Sequence, residues 1–256
     1  MEIVICPNYD DLSKRAAKVV ADVVRARPNA VLGGATGSSP VGLYKELIRM
    51  HKEEGLDFSK VTTFNLDEYV GLGTDHDQSY HYFMFNNLFN HVNVPKKNIH
   101  VPSGIEDDYD TYCPQYERQI KKAGGVDIQI LGIGSDGHIA FNEPGSSLAS
   151  RTRIVFLAEQ TIDDNARFFK KREDVPVRAI SMGVGTILEA RKLLMVVNGK
   201  NKAEALAAAV EGPVTCMCTA SALQLHPDSI VFTDEEAASK LKLRDYHKWV
   251  RKLKGE

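Results

Sequence analysis

Short apolar runs alternate with amphipathic stretches from one end of the chain to the other. The predicted strands are the runs EIVIC, AVLGGA, VTTFNL, VDIQIL, RAISMGV, KLLMVVN and SIVFT. Helical patterns begin near Tyr9 and Pro40, and others cover 79–89, 202–210 and 235–243. Because buried strands that alternate with helices pair in parallel, the pattern predicts an α/β fold with a mostly parallel central sheet and helices on both faces.

Composition is consistent with one ordinary globular unit. The chain has 256 residues, of which 43% are hydrophobic and 26% charged, and it contains no repeat or low-complexity linker. We therefore expect a single domain over residues 1–256. The formal net charge of −2 gives no basic surface for nucleic acid, and the basic stretch 240–254 is interpreted as a solvated helix face.

Membrane, secretion and metal roles are not expected from the sequence. No apolar run approaches the length of a membrane span, and the charged first helix is not typical of a signal peptide. The four cysteines are too few and too irregularly spaced for a disulfide framework, which predicts cytoplasmic thiols. Cys216 and Cys218 have no second ligand pair at zinc spacing, so we expect no metal.

In a parallel sheet the ligand crevice lies beyond the carboxyl ends of the strands, so the loops after strands are the candidates for chemistry. The first is GGATGSSP, residues 33–40, where Ser39 fits a helix N-cap and Pro40 fits the first helical position. Free backbone donors in such a turn favour a phosphate over a plain helix cap. The lysine of a Walker loop is absent.

The second loop is FNLDEYVGL, residues 64–72, which contains the adjacent acids Asp67 and Glu68. Neighbouring side chains on an extended or turning backbone point in different directions, so we expect only one of them to reach the crevice. The residues alone do not decide which one. A helix cap or a surface turn is an equally good interpretation of this segment considered by itself.

The third loop is GIGSDGHIAFNEPGSS, residues 132–147, and its first six letters match the dinucleotide-binding pattern G-x-G-x-x-G. Pro144 follows too soon for the helix that a nucleotide loop requires, so we expect no such cofactor. The loop instead groups Asp136, His138 and Glu143, whose side chains transfer protons. A lone histidine is usually structural, but two acids and four glycines around this one favour catalysis.

Taken together, ATGSSP, FNLDEYVGL and GIGSDGHIAFNEPGSSLASRTR resemble the glucosamine-6-phosphate deaminase family. The similarity continues through GVGTILEA and SALQLHPDSI, so it covers nearly the whole chain. The resemblance implies a Rossmann-like α/β fold and a hydrolase without cofactor. Such an enzyme turns glucosamine 6-phosphate and water into fructose 6-phosphate and ammonia in amino-sugar catabolism.

The resemblance also implies roles for the acidic and histidine residues. Asp67 matches the general base that removes the C2 proton of the open-chain sugar, which makes Glu68 secondary. His138 matches the residue that opens the sugar ring, and Asp136 and Glu143 match its carboxylate partners. These roles fit the chemistry, because the C2 proton becomes acidic only after ring opening has exposed the C1 aldehyde.

The substrate phosphate is expected at the first loop. By the resemblance, its ligands are donors of Thr36, Gly37, Ser38 and Ser39, together with Arg167 and Lys202. Ser38 replaces a glycine that is common in the family, a change that keeps backbone donation.

The resemblance also implies expectations about regulation. Some relatives are hexamers that N-acetylglucosamine 6-phosphate activates, and Ser146, Ser147 and Arg153 match residues of their effector site. Val155 replaces a lysine of the regulated members, and Tyr246 lies about two positions early for their C-terminal tyrosine. We therefore expect a homo-oligomer, with the hexamer as one candidate, and weak or absent activation. In the alternative interpretation, a neighbouring subunit supplies the missing charge from one of three residues, Lys242, Arg244 or Lys248.

Two other functions compete with the deaminase. A 6-phosphogluconolactonase has a similar fold and phosphate turn, but the DEY segment and the NEP after GHIAF favour the deaminase. A sugar-phosphate sensor domain of a transcriptional repressor would need a DNA-binding module, and the chain has neither spare length nor a basic recognition helix.

Overall fold

The computed structural model describes residues 1–255. Its strands in chain order are β1 (Glu2–Cys6), β2 (Val31–Gly34), β3 (Thr62–Asn65), β4 (Asp67–Tyr69), β5 (Ile99–His100), β6 (Ile128–Leu131), β7 (Arg153–Phe156), β8 (Arg178–Ser181), β9 (Leu193–Val197) and β10 (Ser229–Asp234). Its α-helices are α1 (Tyr9–Ala26), α2 (Val41–Glu54), α3 (Tyr80–Asn87), α4 (Tyr109–Lys122), α5 (Glu159–Ala166), α6 (Val184–Leu188), α7 (Ala203–Glu211) and α8 (Arg244–Leu253).

Seven strands form the central sheet in the order β1-β10-β9-β6-β2-β3-β5, and every pairing in it is parallel. Strands β2, β6 and β9 are buried along their whole length, because elements cover both faces of the sheet. The predicted α/β fold with a mostly parallel sheet is therefore confirmed. No helix within residues 1–255 is long and apolar enough to span a membrane.

A second, antiparallel sheet of order β4-β8-β7 was not expected from the sequence. The run RAISMGV does form a strand, but β8 pairs with β4 and β7 instead of joining the central sheet. Ser181 of the central strand β8 lies opposite Asp67 of β4 on one side and opposite Arg153 of β7 on the other. The segment predicted as a loop around Asp67 is thus partly a strand.

One predicted helix cap and one predicted helix are wrong, although α2 begins within one residue of the predicted position. Helix α2 begins at Val41 with Pro40 at its N-cap and no side-chain cap, so Ser39 is not the cap. The Tyr9 hydroxyl accepts the N–H of Gly42 instead, which satisfies a free donor of the first turn.

The second error is the helix predicted over 235–243. Only a 3₁₀ turn, Ala237–Lys240, forms there, and helix α8 begins later at Arg244. The Glu211 carboxylate accepts the N–H groups of Lys242 and Leu243 and so fixes the chain just before this separate helix.

The hydrophobic residues form two clusters. The larger one contains the strands of the central sheet and the helices packed on them. The smaller one includes Tyr69, Phe141, Val155 and Ala179, and it lies at the antiparallel sheet. Tyr69 and Ala179 are paired in the same ladder as Asp67 and Ser181, two positions further along. The packing of this small core therefore fixes the position of Asp67.

Candidate active site

A cavity of about 510 Å³ lies at the carboxyl ends of the central strands. It is lined by eight of the predicted site residues, namely Thr36, Gly37, Ser38, Ser39, Asp67, His138, Arg167 and Lys202. These come from five separate segments of the chain, so the structure brings together residues that are more than 160 positions apart. Asp136 and Glu143 are not in the lining but contact His138 at its edge.

The turn after β2 forms one end of this cavity. Gly37 has φ of 92°, a left-handed conformation that favours glycine although a side chain would find open space there. The Tyr44 hydroxyl donates to the Ala35 carbonyl at 2.6 Å and accepts the Ala35 N–H at 3.0 Å, which holds the start of the turn. Within residues 1–255, the N–H groups of Gly37 and Ser38 have no hydrogen-bond acceptor.

Two cations face this turn. Arg167 ends helix α5, and its guanidinium lies 4.7 Å from the centroid of the Phe168 ring. Lys202 ends a 3₁₀ turn that follows β9. Burial, together with the nearby charge of Arg167, lowers the pKa of Lys202, and the carboxylates of Asp164 and Asp136 only partly oppose this shift.

Asp67 begins β4 and is only 5% exposed. Burial, reinforced by the charge of Glu68, raises its pKa to about 8, and the nearby His138 only partly opposes the shift. Its carboxylate accepts no hydrogen bond from any residue in the range 1–255. A carboxylate with this environment is a strong base when a substrate brings it into its ionised form.

Glu68 points away from the cavity and has a structural contact instead. Its carboxylate accepts the N–H groups of Tyr69, Tyr80 and His81, all at 2.9 Å, and so holds the first turn of helix α3. Burial still raises the pKa of Glu68 to about 7. Of the two adjacent acids, only Asp67 lines the cavity, which answers the question that the sequence left open.

His138 lies between two carboxylates. Its Nδ1 is 2.8 Å from Asp136 Oδ1 and 3.4 Å from Glu143 Oε2. Burial opposes protonation, but the two acids outweigh it and raise the pKa of His138 to about 9. Burial would raise the pKa of Asp136, but its contact with His138 lowers that pKa to about 2. Gly134 permits this packing, because a Cβ there would lie 2.5 Å from the imidazole ring.

The same three side chains are the group within residues 1–255 whose ligand atoms could surround a metal ion, since these atoms lie within 4.8 Å of one another. A protonated His138 supplies the positive charge between the two carboxylates that a cation would otherwise supply. The Nδ1 atom of His138 therefore carries a proton that faces the two acids, and its Nε2 atom remains to act on a ligand.

Comparison with known proteins shows the family to which the chain belongs. The family model of glucosamine-6-phosphate isomerases and 6-phosphogluconolactonases matches residues 8–232. The chain is 53% identical over 239 residues to the glucosamine-6-phosphate deaminase of Thermoanaerobacter pseudethanolicus, with 93% of this chain and 94% of that protein covered. It belongs to the glucosamine-6-phosphate deaminase family. The deaminase of Clostridioides difficile is 50% identical, with coverage of 96% and 99%.

Solved structures give the same family and the same fold. A monomeric glucosamine-6-phosphate deaminase superposes with a TM-score of 0.92 at 45% identity, covering 94% of this chain and 100% of that one. The 6-phosphogluconolactonase of Trypanosoma cruzi has a TM-score of 0.74 at 20% identity, covering 94% and 97%, which shows a shared fold only. The homo-oligomer expected from the sequence stays a prediction, since the similar deaminase is monomeric.

The residues for which the sequence predicts a possible effector site lie outside the cavity lining. Arg153 donates to Ser146 Oγ at 3.2 Å and to Asn142 Oδ1 at 2.9 Å, so the structure brings Arg153 and Ser146 together. Ser147 Oγ accepts the N–H of Ala149 instead. Val155 is buried in the smaller hydrophobic cluster, where a lysine ammonium group would be desolvated.

Several residues that line the cavity were not predicted from the sequence. Asn198 follows β9 and accepts a hydrogen bond from Ser39 Oγ at 2.8 Å, and its position after a strand could have indicated it. Ser135 donates to Asp164 at 2.9 Å and so links the loop of His138 to helix α5. Tyr80 comes from the start of α3, and nothing in the local sequence indicates its place in the lining.

Proposed function

We propose that this chain is a glucosamine-6-phosphate deaminase, which converts glucosamine 6-phosphate and water to fructose 6-phosphate and ammonia. The observation that carries the proposal is that Asp67 and His138 line one cavity together with a phosphate-type turn and two cations. Family membership gives the reaction, and the residues of this cavity suit each of its steps. We propose no cofactor or metal for the reaction, because every step is a proton transfer or an addition of water.

The phosphate group of the substrate is bound at the turn after β2. The backbone N–H groups and hydroxyls of residues 36–39 donate to its oxygens, and Arg167 and Lys202 neutralise its charge. The negative charge of the phosphate opposes the burial that lowers the pKa of Lys202 and so favours its protonated form. The sugar then extends from this end of the cavity toward Asp67 and His138.

Ring opening is the first chemical step, and we assign it to His138. The imidazolium donates its Nε2 proton to the ring oxygen, and the neutral Nε2 takes the proton of the C1 hydroxyl, so the C1–O5 bond breaks, the free aldehyde forms and His138 is again an imidazolium. Asp136 and Glu143 stabilise the charged ring at Nδ1 and keep it oriented.

Isomerisation follows at the adjacent carbons, and we assign it to Asp67. The carboxylate removes the C2 proton, which the C1 aldehyde has made acidic, while His138 Nε2 donates a proton to O1, and the protonated Asp67 then gives its proton to C1 of the resulting enolamine. The C2 iminium ion adds water, the C2–N bond breaks to release ammonia, and the proton released in this step returns to His138. Carbon C2 becomes the ketone of fructose 6-phosphate, so one water is consumed and one ammonia formed. The overall reaction therefore combines an aldose–ketose isomerisation with a deamination.

The decisive experiment mixes the purified protein with glucosamine 6-phosphate and, separately, with 6-phosphogluconolactone. We expect ammonia and fructose 6-phosphate from the first substrate and only background hydrolysis of the second. Lactone hydrolysis without ammonia release would show that the chain is a 6-phosphogluconolactonase, the other activity found in this family. Tight binding of the sugar phosphate without any turnover would indicate a sensor.

We propose that the enzyme acts in the cytoplasm as a homo-oligomer and that residues 1–256 form one domain. The cytoplasmic assignment is supported by free thiols at all four cysteines, which a reducing compartment maintains. Sedimentation velocity measures the oligomeric state, and a monomer at micromolar concentration would contradict the second part. A single cooperative unfolding transition is expected for one domain.

A further inference from the structure

A second cavity, of about 410 Å³, lies on the other side of the phosphate turn. Gly37, Ser38, Tyr80, Asn165 and Arg167 line both this cavity and the one with Asp67 and His138. These five residues therefore form a common wall. An anion bound at this wall would have two directions in which its body could extend.

The two cavities differ in chemistry. The second is lined by six aromatic rings, those of Tyr69, Tyr80, Tyr82, Phe83, Phe168 and Phe169. Arg167 is the single cation among its lining residues within the described chain, and it lies at the common wall. The one carboxylate, Asp77, is exposed. The cavity thus has a positive end at the phosphate turn and an aromatic interior.

We infer that this second cavity binds the ring of an aromatic phosphate monoester whose phosphate occupies the turn at Gly37 and Ser38. The free N–H groups of the turn and the guanidinium of Arg167 bind the phosphate. Aryl and nucleoside monophosphates share this chemistry. The inference uses the proposed function only for the location of the phosphate, and it makes such compounds competitive inhibitors.

The exposure of the rings favours an aromatic occupant over a second sugar. Tyr82 is 41% exposed and Phe168 is 47% exposed, so both rings have surface that a planar ligand would cover. The side-chain amide of Asn86 has no partner within residues 1–255 and can bind a polar atom at the edge of the ring. Because six of the lining side chains are aromatic, a flat apolar ring makes more stacking contact here than a sugar, whose hydroxyl groups require hydrogen-bond partners.

The test is a fluorescence titration with 1-naphthyl phosphate, with methyl phosphate as the ring-free control in competition. We expect 1-naphthyl phosphate to bind at least about tenfold more tightly than methyl phosphate, because its ring enters the aromatic cavity. Glucosamine 6-phosphate displaces it, since both use one phosphate site. Tyr82→Ala weakens naphthyl binding about two- to tenfold and leaves methyl phosphate unchanged.

Tyr246→Ala is the matched control, because Tyr246 is a 54% exposed tyrosine on α8 outside both cavities. Asn86→Trp is a second variant, which fills the cavity without removing a ring, and we expect it also to weaken only the naphthyl ligand. Equal affinity for the two phosphates, or naphthyl binding that glucosamine 6-phosphate does not displace, would overturn the inference. Absent ammonia release with intact displacement would contradict the proposed function alone.

Discussion

Replacing Asp67 by asparagine keeps the shape of the side chain and removes its charge, so it separates catalysis from folding. The variant loses the base that takes the C2 proton, and loss of a positioned proton-transfer group typically costs about 10²- to 10⁴-fold in turnover. The same substitution should make the protein more stable. Both effects come from one carboxylate that is 5% exposed and has no hydrogen-bond donor.

The size and sign of the stability effect follow from the raised pKa of Asp67. Burying an unpaired charge costs several kcal/mol, whereas an unpaired buried amide costs roughly 1–3 kcal/mol. The folded pKa is about 8 and the ordinary pKa of an aspartate is 3.8, so burial of this carboxyl costs the wild type no charge-related stability below pH 3.8 and an increasing amount from there up to pH 8. Above that pH we expect Asp67→Asn to raise the free energy of unfolding by about 1–3 kcal/mol. This range already allows for the attraction between Asp67 and His138 that the substitution removes.

Two assays read these effects independently. Deuterium incorporation at C2 of glucosamine 6-phosphate in heavy water reports proton abstraction, and we expect it to fall with turnover. Thermal unfolding at about pH 4.5 and pH 8.5 reports stability. The gain corresponds to a rise of roughly 2–12 °C in Tm at the higher pH and much less at the lower one.

Asp127→Asn is the matched control for this experiment. Asp127 is also buried, but its carboxylate accepts from Arg27 at 2.6 Å, from Arg191 at 2.9 Å and from the Val31 N–H at 2.7 Å. We expect this variant to lose stability and to keep its deuterium incorporation. If Asp67→Asn incorporates deuterium at C2 as fast as the wild type, another group is the base. An equal change in Tm at both pH values would refute the buried-charge argument.

Four further predictions concern the same site and its regulation. His138→Gln should lose about 10²-fold or more with the cyclic substrate and recover partly with an open-chain analogue, whereas equal losses would contradict ring opening. Arg167→Ala and Lys202→Ala should each raise KM about 10- to 150-fold, and an unchanged KM in both would move the phosphate site elsewhere. The pH profile of kcat/KM should rise through about 8 and fall through about 9, from the raised pKa values of Asp67 and His138, and a flat profile over this range would refute the assigned protonation states. Substrate saturation should be nearly hyperbolic with or without N-acetylglucosamine 6-phosphate, because Val155 replaces a cation, and a sigmoid curve that the effector converts to a hyperbola would show that the effector site works.

The sequence predicts six of the seven central strands because they appear as continuous apolar runs, as strands buried on both faces do, but it misses β5, which has only two half-buried residues. The antiparallel sheet gives no such signal. Strand β4 has three residues, and β7 has an exposed phenylalanine and a partly exposed arginine, so neither contains enough apolar residues to show a period.

Candidate residues were predictable where the site is local in sequence. Asp136, His138 and Glu143 lie within eight positions, and their contact in space follows from one glycine-rich loop. Tyr80 and Asn198 reach the cavity through the arrangement of strands and helices, which no local pattern contains. The choice of Asp67 over Glu68 likewise depends on the start of helix α3, whose N–H groups Glu68 accepts.

The pairing of β1 has a consequence for synthesis on the ribosome. Strand β1 lies at the edge of the central sheet and pairs there with β10, where Glu2 lies opposite Ile230. This pairing cannot form until the ribosome has synthesised Ile230. At about 5–20 residues per second, translation takes roughly 10–50 s to cover that interval. During this time strand β1 has N–H and C=O groups without their β10 partners and an apolar run, which is a template for aggregation. We therefore expect nascent chains of this protein to bind chaperones through EIVIC until β10 emerges.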